Sequence, residues 1–152
     1  MVVLIGIPRI LSPELLHTLA KMGHGDEIVL ADANFPSAGC CRHGPIEIRA
    51  DGLAIPALLE AILQLLPLDA YDPSPVMLMD REPVDKERKL QTPIWEEYDK
   101  IVQASHGGAT PVKTALIPRF DFYERAKKAF AIVHTGEAAL YGNIILKKGV
   151  LP

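Results

Sequence analysis

The stretch Ser12–Asp32, SPELLHTLAKMGHGDEIVLAD, reads as helix, turn and strand in succession, and it decides the fold class. Ser12 suits a helix cap. Pro13 suits the first helical position, where a missing N–H is no loss, and Glu14 favours the positive helix end. Leu15, Leu16, Leu19 and Met22 then fall on one apolar stripe. Gly23 is predicted to stop the helix, as a residue free to adopt positive φ. After the Gly23-His24-Gly25 turn, Ile28-Val29-Leu30-Ala31 is a short apolar run that reads as a buried strand, with Asp32 directly behind it.

The same alternation continues along the chain. Asn34 to Pro45 lacks periodicity and reads as a loop; Ile46–Ile48 reads as a strand and Asp51-Gly52 as a turn. Pro56 opens a second helix with Leu59, Ile62, Leu63 and Leu66 on its apolar face, closed before Pro67. Val76–Met79 is a third strand, and the charged run from Asp80 to Lys89 reads as exposed. Thr92-Pro93 repeats the cap-then-proline device ahead of Ile94, Trp95, Tyr98, Ile101 and Val102, and Gly107-Gly108 breaks that helix. Val112–Ile117 reads as a strand, Asp121 as the cap of a helix through Phe130, and Ala131–Val133 and Ile144–Leu146 as the last strands. Alternating helices and strands predict a single-domain α/β layered fold over residues 1–152, with a largely parallel central sheet flanked by helices.

Composition narrows the partners. The 152 residues fit one buried core, and the apolar share of 49% is ordinary for a globular protein. Net charge is −3 and the basic residues are scattered, which argues against nucleic acid or an anionic membrane as partner. The two cysteines, Cys40 and Cys41, are neighbours; they read as free thiols of a reducing compartment, with no zinc-ligand spacing. The apolar run in Met1–Pro8 is too short for a signal core, and no stretch reaches the ~20 residues of a membrane helix. A cytoplasmic protein is expected.

In open α/β sheets ligands gather at the carboxyl ends of strands. Asp32 follows a buried strand, His24 sits between two glycines, and Tyr141-Gly142-Asn143 precedes the last strand. A carboxylate, an imidazole, a phenol and an amide suit a hydrogen-bonding pocket that works at neutral pH. Each has a plainer reading: His24 as a surface histidine, Asp32 as a loop brace, Tyr141 as a core residue with a wet hydroxyl. His43, His106 and His134 lack metal-ligand spacing, so no metal is assigned. No GxGxxG, GxxxxGK[ST] or GxSxG occurs, and no organic cofactor is expected.

Three motifs in order resemble the fucose mutarotase and ribose pyranase family. They are MGHGDEIVLADANFP at Met22–Pro36, IRADG at Ile48–Gly52, and RFDFYERAKKAF at Arg119–Phe130 running on through Thr135-Gly136-Glu137 to YGNIILKKGV at Tyr141–Val150. The resemblance covers nearly the whole chain, least between Asp80 and Pro118, and is nearer the fucose branch. It implies that His24 is the acid/base histidine and Asp69 a second acid/base group. It implies that Asp32, Arg119, Tyr141 and Asn143 contact sugar and that Met79 and Tyr123 line the pocket. It further implies a homo-oligomeric ring whose pockets a neighbouring subunit completes. Val133-His134-Thr135 departs from the family pattern.

The expected reaction is exchange of the α and β anomers of L-fucose, with pyranose/furanose exchange of ribose as a variant. Ring opening moves one proton from the C1 hydroxyl and one to the ring oxygen. A group titrating near neutrality serves both transfers without a cofactor. The alternative is a non-catalytic sugar-binding or regulatory module tied to monosaccharide uptake.

Overall fold

The computed structural model describes residues 3–152; Met1 and Val2, the start of the Met1–Pro8 run, lie outside the described residues. Helix α1 spans Pro13–Lys21, and the Ser12 hydroxyl accepts from the Leu15 N–H at 3.2 Å, as the cap reading requires. Its end differs from expectation. Met22 closes the helix in extended conformation, and the positive φ falls on Gly25 (88°) instead of Gly23. The Gly23 N–H instead donates to the Asp26 carboxylate at 2.7 Å, so a side chain closes the turn.

Strand β1 (Glu27–Ala31) is followed by α2 (Ser37–Cys41), β2 (Ile46–Ala50), α3 (Ile55–Leu63), β3 (Val76–Met79), α4 (Pro83–Glu87), α5 (Pro93–His106), β4 (Thr114–Ile117), α6 (Arg119–Ala126), β5 (Ala131–Thr135) and β6 (Ile144–Lys147). They form one six-stranded sheet in the order β2-β5-β1-β6-β3-β4. Three pairings are parallel, and β6 runs antiparallel to both its neighbours, β1 and β3. The sheet is therefore mixed, with a parallel majority.

Period-two alternation sends the strand side chains to two cores. Ile28, Leu30, Val76, Leu78, Val133, Ile144 and Leu146 meet α1, α3 and α5 on one face. Val29, Ala31, Met77, Met79, Ile132 and Ile145 meet α2 and α6 on the other. Ile28, Val29 and Leu30 have no exposed surface, and burying such side chains contributes about 1.5–3 kcal/mol each. That two-sided burial explains why β1 carries no polar alternation.

Several expected boundaries moved for identifiable reasons. The Asn34–Pro45 loop contains α2, whose Ser-Ala-Gly-Cys-Cys sequence is too short and too small to show a periodic stripe. Asp80–Lys89 contains α4. Thr92 makes no side-chain cap bond, whereas Gly107 ends α5 at φ 66° as expected. Val112 stays out of β4 because the Gln103 side chain satisfies its backbone, accepting from its N–H at 3.0 Å and donating to its carbonyl at 2.8 Å. Helix α6 starts at Arg119, directly after Pro118, so Asp121 lies inside its first turn instead of capping it; the helix ends at Ala126.

Candidate functional site

Asp32 and Asn143 meet where β1 ends and β6 begins. The Asp32 N–H donates to Asn143 Oδ1 at 2.7 Å, and Asp32 Oδ1 accepts from the Asn34 N–H at 3.0 Å. Both residues are buried. Burial pushes the Asp32 carboxyl above its ordinary value, against hydrogen bonds from the Asn34, Gly142 and Phe35 backbone that pull it down.

The loop behind them is pinned from α5. The Trp95 indole donates to the Tyr141 carbonyl at 2.9 Å, and the Tyr98 hydroxyl donates to the Gly142 carbonyl at 2.7 Å. Tyr141 is held in the left-handed region, φ 56°, which an L-residue adopts only when its surroundings over-determine it. The effect is to turn its phenol toward α4. There the hydroxyl accepts from the Glu82 N–H at 3.0 Å and donates to Asp85.

Arg119, at the start of α6, donates to the Tyr123 hydroxyl at 2.9 Å and pairs with Glu82 at 3.3 Å. Its guanidinium also lies over the Tyr123 and Phe120 rings. Asp32, Met79, Arg119, Tyr123, Tyr141 and Asn143 line one cavity of about 250 Å³. That is just under the ~300–1,000 Å³ of pockets for drug-sized ligands, and it suits a molecule of monosaccharide size. Six residues singled out from the sequence thus converge here.

His24 and Asp69 do not line that cavity. They form their own pair: His24 Nε2 lies 3.0 Å from Asp69 Oδ1, with the imidazole 45% exposed and the carboxylate 4%. The Asp69 N–H donates to the Lys147 carbonyl at 3.0 Å, which ties the pair to the far end of β6. The Tyr71 N–H donates to the same carboxylate oxygen at 3.2 Å. Burial raises the Asp69 carboxyl, but the hydrogen bonds to His24 and Tyr71 outweigh it and the net shift is downward. The carboxylate therefore stays ionised and anchors one imidazole nitrogen; the other has no hydrogen-bond partner among the described residues. Gly149 matters here: a Cβ on it would stand 2.5 Å from the Leu68 carbonyl and 2.8 Å from the Asp69 Cα.

His24 precedes β1 and Asp32 follows it. Five strand residues at about 3.3 Å each put the two groups roughly 17 Å apart or more. The residues that the sequence grouped into one pocket thus lie at opposite ends of one strand, Asp32 and Asn143 at the cavity and His24 with Asp69 away from it. A larger groove, about 640 Å³, opens near Gly25. Its carboxylates are committed internally, Asp26 to the Gly23 N–H and Glu27 to Arg125 at 2.7 Å.

Sequence reasoning missed Asn34, Phe35, Glu82, Asp85, Arg88, Leu90 and Leu140, which line the cavity too. Glu82-Pro83 is a helix-start signal that was available for α4. His134 pairs with Ser37, Nδ1 to Oγ at 2.7 Å, and so braces the start of α2, just after the Asp32 loop. Among the described residues no cluster of three or more His, Cys, Asp or Glu is arranged to hold a metal ion, and no helix is long and apolar enough to cross a membrane.

A mixed sheet with a small cavity of charged, aromatic and apolar side chains at one end and a carboxylate-anchored imidazole at the other describes a small-molecule-binding α/β protein. Residues 5–151 match the RbsD / FucU transport protein family, and the chain belongs to that family. It is 64% identical to the fucose mutarotase of Mus musculus over 151 residues, covering 99% of this chain and 97% of the relative. It is 50% identical to the L-fucose mutarotase of Haemophilus influenzae (strain 86-028NP) over 147 residues, 97% of this chain and 96% of the other. Among solved structures it resembles the fucose mutarotase from Streptococcus pneumoniae in complex with L-fucose, with TM-score 0.88, 49% identity, and 98% and 100% of the two chains covered. The RbsD of Bacillus subtilis complexed with D-ribose shares the fold at TM-score 0.71 and 24% identity, over 93% of this chain and 95% of that one.

Proposed function

We propose that this chain is an L-fucose mutarotase, a single catalytic domain that interconverts the α and β anomers by opening and closing the ring. The observation that carries the reading is that one chain holds both a monosaccharide-sized cavity lined by Asp32, Arg119 and Asn143 and an exposed imidazole whose far nitrogen is held by a buried carboxylate. The 64% identity to a fucose mutarotase supports the choice of sugar.

In this reading His24 is the proton-transfer group and Asp69 orients it, as a carboxylate orients a catalytic imidazole elsewhere. Neutral His24 takes the C1 hydroxyl proton through its free nitrogen. The O–H electron pair becomes the C1=O bond, and the C1–O5 pair leaves on the ring oxygen. That oxygen takes a proton from the imidazolium just formed or from water. Rotation about C1–C2 and the reverse transfers give the other anomer. Asp32 and Arg119 hold sugar hydroxyls through charge-assisted hydrogen bonds, Asn143 and Tyr141 orient the ring, and Met79 and Tyr123 wall it. General acid–base catalysis of about 10²–10⁴-fold is enough, because mutarotation is already slow but spontaneous in water.

One strand length separates His24 from Asp32, so the site needs a second copy of the chain. Exposed apolar groups flank both half-sites: Tyr71 (78% exposed) beside His24, and Phe120 (68%) and Leu140 (57%) beside the cavity. These groups are available to an apolar contact between copies. Docking one end onto the other is a head-to-tail contact, which closes into a ring when the rotation permits. The free thiols Cys40 and Cys41 fit a reducing, cytoplasmic setting.

Magnetisation transfer between the H1 signals of α- and β-L-fucose measures the exchange directly. Micromolar protein is expected to produce transfer absent from the buffer control. The family's description as transport proteins favours one other reading, a sugar-binding module of an uptake system. Such a protein would bind fucose and leave the exchange rate at the control value. The same experiment with D-ribose reads out the ring-size exchange.

A further inference from the structure

We propose that Asp85 is a positioning residue of this site: it accepts the hydrogen bond of the Tyr141 phenol, so that Tyr141 offers a bound sugar a lone pair and never a proton. The inference rests on the mutarotase reading and deepens it.

A phenol has one proton to donate and two lone pairs to accept with. The Tyr141 proton goes to Asp85 Oδ2 at 2.5 Å, and one lone pair accepts from the Glu82 N–H at 3.0 Å. One lone pair remains, in a cavity that both residues line. The partner on the sugar must therefore be a hydroxyl that donates. The C1 hydroxyl proton goes to His24, so Tyr141 accepts from another sugar hydroxyl and fixes the ring in the one orientation that turns C1 toward the imidazole.

The arrangement depends on Asp85 being ionised, because only an ionised carboxylate is acceptor-only and cannot turn around to donate. Its carboxyl is held below the ordinary range by the Tyr141 hydrogen bond first and by Arg88 second, and Arg88 also pairs with Asp85 Oδ1. Burial first, and the Asp85 hydrogen bond second, push the Tyr141 phenol up, so it keeps its proton at neutral pH. The turn carrying Asp85 is braced independently of any ligand. The Leu90 N–H donates to the Asp85 carbonyl at 2.9 Å, the Arg81 guanidinium donates to the Leu90 carbonyl at 2.8 Å, and Lys86 pairs with Asp80 at 2.7 Å. Asp85 is thus held in place before sugar arrives.

The test is a double-mutant cycle on L-fucose exchange with Asp85→Asn, Tyr141→Phe and the pair, each checked for an unchanged oligomer profile and Tm. The amide can rotate its NH₂ onto the phenol oxygen and release the phenol proton. D85N is expected to lower kcat about tenfold or more while KM stays within about threefold, and to change the Y141F enzyme by less than about twofold. D85N at the wild-type rate, a loss confined to KM, or the same loss in wild-type and Y141F backgrounds would each overturn the proposal. If the wild-type protein fails to exchange anomers at all, the mutarotase reading fails instead, and the two failures are told apart by that control. A D85N that fails to fold is replaced by Asp85→Glu, which keeps an acceptor-only carboxylate on a longer stem. D85E must retain most of the Y141-dependent rate; a rate equal to Y141F would count against the proposal.

Discussion

His24→Ala is expected to lower the rate of L-fucose anomer exchange about 10²- to 10⁴-fold while leaving sugar affinity nearly unchanged. The imidazole is 45% exposed and does not line the cavity that holds Asp32 and Arg119, so on the mutarotase reading its removal takes away proton transfer and little binding. Saturation-transfer NMR gives the rate, and fucose titration followed by Trp95 fluorescence gives the affinity. An exchange rate within twofold of wild type would remove His24 from the mechanism. The substitution also touches stability. Folding lowers the Asp69 carboxyl below its ordinary 3.8, helped by the His24 hydrogen bond. A lowered carboxyl stabilises the fold fully above that ordinary value and loses the contribution as pH falls through the folded value. The H24A protein is therefore expected to lose Tm at neutral pH and to show a shallower further loss in acid than wild type.

Asp32→Asn has the opposite balance. Its carboxylate is the buried charge of the cavity, and replacing it removes a charge-assisted hydrogen bond to sugar, expected to weaken fucose binding about 10- to 100-fold. Stability moves the other way. Folding raises the Asp32 carboxyl, chiefly by burial, so the folded protein holds this proton more tightly than the unfolded chain. Ionised Asp32 thus opposes folding at every pH above both values, and the penalty fades as pH falls through the folded value toward 3.8. The amide carries no such penalty, so D32N is expected to match or exceed the wild-type Tm at pH 7 and to lose that advantage near pH 3. Isothermal titration and a pH series of thermal melts check the two halves. A D32N protein that binds fucose normally contradicts the assignment, and one that melts well below wild type at pH 7 contradicts the burial argument.

Much of the scaffold was legible because the local signals agreed with the tertiary packing. Ser12-Pro13 capped a helix as written, Gly107 ended one, and the unbroken apolar run Ile28–Ala31 marked the strand at the centre of the sheet. What stayed hidden depended on partners far away in sequence. Nothing local to Ile144–Lys147 says that β6 slots antiparallel between β1 and β3. The charged run Asp80–Lys89 is largely exposed as the sequence suggests, but the five residues of α4 carry too little pattern to show a helix, or that Glu82 and Asp85 line the cavity. The separation of His24 from Asp32 was readable in principle: they flank a five-residue strand, which at about 3.3 Å per residue is longer than a monosaccharide.

Mixing the two variants tests that division most directly. H24A subunits keep an intact cavity and D32N subunits keep an intact His24–Asp69 pair, and each is expected to be nearly inactive alone. Unfolded together in equal amounts and refolded, they assemble at random, and about one junction in four pairs a wild-type imidazole with a wild-type cavity. The mixture is expected to recover about a quarter of the wild-type exchange rate. A mixture no more active than its parents, from wild-type protein that regains full activity under the same refolding, would mean that the two half-sites do not meet between subunits.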